Sequence, residues 1–153
     1  MIVEADPTLR GVSHLKESAG TIETFPKGPI YREGDAGDVM YAIRSGEVRI
    51  TKNMYGIMVK LADLGPGQWF GEMALLEGAP RSATAIAATP VELDVYDLKA
   101  LTERVAADPE FALAMMRSMS IRLRRIDERL TDLVAKGRLP REEAVGLGEH
   151  TGY

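Results

Sequence analysis

The stretch FGEMALLEGAPRSATA, Phe70–Ala85, sets the carboxylate of Glu72 and the guanidinium of Arg81 in a run of apolar and small residues. Charged side chains are rarely buried unless they are paired or bind something. EMALLE has the composition of one or two helical turns beginning directly after Gly71. Such a start leaves the N–H groups of a helix N-terminus uncovered, beside a glycine that permits close approach. EGAP then turns the chain, so that Arg81 can face back onto the same spot as a planar, bidentate donor suited to phosphate oxygens. The stretch therefore reads as a strand end, a short helix and a turn folded around one anion site.

Outward from it, the chain has two characters. From Thr21 to Tyr96, short β-prone runs such as TIETF, VMYAIRSGEVRITK and IMVKLADL alternate with glycine-containing turns. That pattern belongs to an antiparallel sandwich or barrel. Gly28, Gly34, Gly37, Gly46, Gly56 and Gly67 stand where turns need positive φ, and SG at 45–46 reads as a tight hairpin. After Tyr96 no glycine follows until Gly137. Asp97 is placed to cap a helix through about Ala107, and Asp108-Pro109 supplies a second N-cap followed by proline at the first helical position. The second helix is expected from Pro109 to about Lys136. The expected fold is mainly β with α: an antiparallel β-roll or jelly-roll barrel over 21–96, carrying the short helix, then helices over 97–136, the last one long. Residues 1–20 read as a polar, partly helical segment and 137–153 as a flexible tail.

Glu72 is a poor phosphate ligand but a good acceptor for a hydroxyl. An anion donor and a hydroxyl acceptor set close together suit a ligand that joins a phosphodiester to a ribose, as a 3′,5′-cyclic nucleotide does. FGEMALLEGAPRSATA indeed resembles the phosphate-binding cassette of the cyclic nucleotide-binding domain family, found in Crp-type regulators, kinase regulatory subunits and ion channels. The likeness extends upstream through YREGDAGDVMYAIRSGEVRI and downstream through TPVELDVYDLKAL and the final helix, covering Thr21 to Leu133. Gly71, Glu72, Arg81, Ser82 and Ala83 carry it, in order and spacing. The resemblance implies that Glu72 and the Gly71 backbone bind the ribose 2′-OH. It implies that Arg81 and the amides near Ala74, Ser82 and Ala83 bind the cyclic phosphate, with Met73 in the same cassette helix. Ser82 adds a hydroxyl for the phosphate or for the 2-amino group of guanine. The competing reading is a structural Glu72–Arg81 ion pair with the ligand function lost. A P-loop is excluded, because GEMALLEGAP lacks its Lys-Ser/Thr, and the glycine spacing of a Rossmann turn is absent.

In the final helix Ala112, Met116, Met119, Leu123, Ile126, Leu130 and Leu133 recur in a four–three spacing, the a/d pattern of a coiled-coil seam. Crp-type relatives pair this helix across a two-fold axis, which implies a homodimer. The helix also lies over the base there, through a Thr-Ser pair. Ile126 and Asp127 stand at those positions, a departure that leaves base preference open between cAMP and cGMP. Asp127 can accept from N6 of adenine or from N1 and N2 of guanine, and Arg124 or Arg125 can stack on either base.

The 153 residues, 45% of them hydrophobic, can bury one core. A net charge of −4 argues against nucleic-acid affinity, and the lack of cysteine removes disulfides, thiolate metal sites and cysteine nucleophiles. There is no signal peptide and no apolar run near the roughly 20 residues that span a bilayer, so a cytoplasmic protein without membrane partner is expected. His14 and His150 lie far apart near the ends, so neither a metal site nor a catalytic triad can be assembled, and no enzyme is expected. The expected function is a stand-alone receptor for cAMP or cGMP, without a DNA-binding domain, acting on an unidentified effector protein. The alternatives are a ligand-free scaffolding dimer of the same fold and a truncated Crp-type transcription regulator.

Overall fold

A computed structural model describes residues 20–137 of the chain. The proposed N-terminal segment, apart from Gly20, and the tail beyond Gly137 lie outside the described residues, as do His14 and His150. The chain divides into two compact units at Phe111/Ala112.

In the first unit the strands are β1 (Thr21–Phe25), β2 (Gly28–Tyr31), β3 (Met40–Ser45), β4 (Val48–Met54), β5 (Ile57–Leu64), β6 (Trp69–Phe70), β7 (Thr84–Ala87) and β8 (Val91–Tyr96). They form two four-stranded antiparallel sheets, ordered β1-β8-β3-β6 and β2-β7-β4-β5. This is the β-roll expected. Alternation in β8 sends Val91, Leu93 and Val95 into the same core as Tyr41, Ile43, Val48 and Leu64. Ala85 and Ala87 of β7 are fully buried there as well. Trp69 and Tyr96 pack instead around Phe111, with ring centroids 6.2 Å from it in both cases.

The hairpin expected at Ser45–Gly46 does not exist, because β3 and β4 belong to different sheets. The chain crosses between the sheets there, with Glu47 bonded to residues 88 and 89 on the neighbouring turn. The two-residue hairpin is instead Tyr55–Gly56, between the paired Met54 and Ile57, with φ of 55° and 85°. Positive φ at both positions is the primed turn that matches strand twist. Tyr55 is an uncommon occupant of that region, and the Asn53 side chain supports the turn by accepting from the Gly56 N–H at 2.7 Å.

Helix α1 (Glu72–Glu77) lies between β6 and β7, and α2 (Leu98–Ala107) follows β8. Asp97 caps α2 as expected, its carboxylate accepting from the Ala100 N–H at 2.7 Å, an interaction that contributes about 1 kcal/mol. Helix α3 (Pro109–Ala135) starts in the first unit and supplies the described part of the second. It ends one residue before the expected stop, with Gly137 at φ 66°. Among the described residues no helix is long and apolar enough to cross a membrane.

Candidate functional site

Arg81 is 4% exposed and is held from every side. Its backbone N–H donates to the Asp35 carbonyl and its carbonyl accepts from the Gly34 N–H, both at 2.8 Å. The turn REGDAGD (Arg32–Asp38) thus clamps the residue that leads into β7. The side chain runs back to α1, where Nη1 donates to the Gly71 carbonyl at 2.9 Å. The guanidinium carbon lies 4.2 Å from the centroid of the Tyr31 ring and 5.8 Å from that of Tyr41. Stacking on an aromatic face attracts a cation and fixes the plane of the fork. Its Nε is buried and finds no hydrogen-bond partner among the described residues. An unsatisfied buried donor costs about 1–3 kcal/mol, and Nε is the one buried atom of this guanidinium that the described residues leave without an acceptor.

Two glycines make the arrangement possible. Gly71, the N-cap of α1, has φ 80°, and a Cβ there would stand 2.7 Å from Arg81 Nη1. No side chain caps the helix at this end, which leaves the first-turn amides of α1 without that competitor. Gly37 was expected to have positive φ. It does not; its requirement is close approach. A Cβ on Gly37 would lie 2.5 Å from the Ala74 Cβ and 2.8 Å from Arg81 Nε.

Glu72 opens α1 and is 4% exposed. Its position in the first turn is favourable to a carboxylate. Ala74 and Ala83 are buried, whereas Met73 is 51% exposed on the other side of the short helix. Ser82 is exposed, and its carbonyl accepts from the Lys52 ammonium at 2.8 Å. Burial pushes the Tyr31 phenol up to about 12, against the pull of the Arg81 cation and with the help of Glu72. Burial raises the Tyr41 phenol too, again opposed by Arg81. Both rings therefore remain neutral at physiological pH and do not compete as anions for the guanidinium.

The first unit thus brings together Gly71, Glu72, Ala74, Arg81 and Ala83, with Ser82 at the rim and Met73 turned outward. Arg124 and Asp127 belong to the second unit, on α3, where Arg124 is exposed and Asp127 half-buried. Tyr31, Gly37 and Lys52 were not anticipated as parts of the site. The one sequence signal for the first two was the run YREGDAGD, which opens on Tyr31 and contains Gly37. Among the described residues no cluster of three or more histidines and carboxylates could hold a metal ion.

The stretch that carries the uncapped helix start, the buried Glu72 and the stacked Arg81 lies within a family match. Residues 23–108 match the family model described as "Cyclic nucleotide-binding domain". The chain belongs to the cyclic nucleotide-binding domain family. It is 35% identical over 112 residues to a CRP-like cAMP-activated global transcriptional regulator of Mycobacterium tuberculosis, covering 72% of this chain and 50% of that protein. The chain thus spans half the length of this curated relative. Among solved structures, the Thermus thermophilus catabolite activator protein matches with a TM-score of 0.74 and 33% identity, over 85% of this chain and 63% of the other. The cGMP-bound form of the EAL enzyme Bd1971 matches with a TM-score of 0.54 and 34% identity, over 75% and 31%. These solved neighbours share the β-roll fold.

Proposed function

We propose that this chain is a cyclic nucleotide receptor that takes cAMP or cGMP in the Phe70–Ala85 cassette and is not itself an enzyme. In this reading the cyclic phosphate sits on Arg81 and the amides at Ala74, Ser82 and Ala83. The ribose 2′-OH is held by Glu72 and the Gly71 backbone. The observation that carries the proposal is the buried Arg81 guanidinium, stacked on Tyr31, with an Nε that lacks a partner among the described residues. Within the cassette, Ser82 offers a hydroxyl toward a guanine amino group. Binding in the cytoplasm would be signalled through α3 to an effector protein.

The ribose contact has its own test. Glu72→Gln removes a charge-assisted acceptor, a contact worth roughly 1.5–3 kcal/mol. The expected result is weaker binding of cAMP and a narrowed gap between cAMP and 2′-deoxy-cAMP. A wild-type protein that already binds the deoxy analogue as tightly would remove Glu72 from the ribose.

A homodimer through α3 is the second part of the reading. Met116, Leu123 and Ile126 of the a/d stripe are 57%, 54% and 52% exposed. A regular apolar seam left open to water favours pairing with its twin. Sedimentation of the nucleotide-bound protein should give twice the chain mass, and a monomer at high concentration would contradict the pairing.

A further inference from the structure

Lys52 stands immediately beyond the end of the ladder between β4 and β7, whose last pair is Thr51 with Thr84. Where the ladder stops, the Lys52 ammonium takes over and donates to the Ser82 carbonyl at 2.8 Å. The same ammonium lies 3.9 Å from Glu33 Oε1. Glu33 in turn is anchored on both sides. Its Oε2 accepts from the Asn53 N–H at 3.1 Å, and its own N–H donates to the Thr84 hydroxyl at 3.0 Å. The lysine is therefore positioned by β4, by the Arg32–Asp38 turn and by the start of β7 together.

The Ser82 carbonyl and the Ala83 N–H belong to one planar trans peptide unit, so they point in opposite directions. An ammonium on the oxygen fixes the orientation of that unit. It also draws electron density toward the oxygen and makes the N–H a stronger donor, as chained hydrogen bonds polarise one another. We infer that Lys52 is a positioning residue for the cassette: by holding the Ser82 carbonyl from behind, it aims and polarises the Ala83 amide for the anion. This inference rests on the receptor reading above.

The test pairs a spectroscopic readout that needs no nucleotide with a titration. In the ligand-free full chain, Lys52→Met, which keeps the aliphatic stem, should move the Ala83 amide proton resonance upfield. Its affinity for cAMP should fall roughly tenfold, as for the loss of a hydrogen bond to a charged group. Lys52→Arg, which keeps a cationic donor, should restore most of both. Wild-type binding combined with an unmoved Ala83 resonance, or with unchanged affinity, in Lys52→Met overturns the role of Lys52. If instead the wild type binds neither cyclic nucleotide and the Ala83 resonance still moves, the receptor reading falls and the peptide contact stands. If neither occurs, both fall.

Discussion

Replacing Arg81 with alanine is expected to abolish measurable binding of cAMP and cGMP while the β-roll still folds. Removing one side of a buried charged contact costs roughly 2–5 kcal/mol. From a micromolar complex, about −8 kcal/mol, such a loss carries the Kd to about a millimolar or beyond. Folding should suffer less. The side chain brings a hydrogen bond to the Gly71 carbonyl, an interaction with the Tyr41 phenol and the Tyr31 stack, but also a buried Nε with no partner among the described residues. The loss of packing and the relief of that donor oppose each other, so the ligand-free unfolding midpoint should move only by about the few degrees that 1 kcal/mol represents. Arg81→Lys should bind weakly too, because a point charge cannot present the paired donors of the stacked fork. Circular dichroism and calorimetry on the two variants check both halves. An Arg81→Ala protein that does not fold would favour a structural role for the guanidinium.

Gly37→Ala is expected to weaken nucleotide binding by about 10–100-fold, the equivalent of losing a hydrogen bond to a charged group. The new methyl would stand 2.5 Å from the Ala74 Cβ, 2.8 Å from Arg81 Nε and 2.9 Å from Arg81 Cδ. A Cβ cannot rotate away, and neither can the Ala74 Cβ, which α1 holds in place. Something has to shift, and both movable neighbours are parts of the cassette. Overpacking of this kind costs about 1–3 kcal/mol of stability. The φ of Gly37 is not in the left-handed region, so backbone strain does not confuse the result. Gly65→Ala is the matched control. It has ordinary φ and open space around its would-be Cβ, and should leave affinity and unfolding midpoint unchanged. Equal affinities in the two variants would show that the tight approach of the Arg32–Asp38 turn is not part of the site.

Much of this arrangement was legible because its signals are local. The cassette is one contiguous stretch, and its helix start, both charges and its small residues could be read without knowing any strand partner. The cap Asp97, the helix start at Pro109 and the apolar period of α3 are local in the same sense. What escaped was non-local. SG at 45–46 has the composition of a hairpin, but β3 pairs with β6 and β8 while β4 pairs with β5 and β7. Nothing in the two residues themselves says which sheet each strand will join. Tyr31, Gly37 and Lys52 were invisible as site residues for the same reason. The pairing of β2 and β4 with β7 carries Tyr31 and Lys52 to the cassette. Gly37 reaches it through the turn that bonds to both sides of Arg81.

The central claim is that the cassette holds a cyclic nucleotide, and a calorimetric titration of the ligand-free full chain with cAMP and with cGMP tests it most directly. Saturable binding of one nucleotide per chain, with a Kd of about micromolar, roughly −8 kcal/mol, is expected for at least one of the two, and should disappear in Arg81→Ala. Absence of binding for both nucleotides, or undiminished binding after Arg81 is removed, would contradict it.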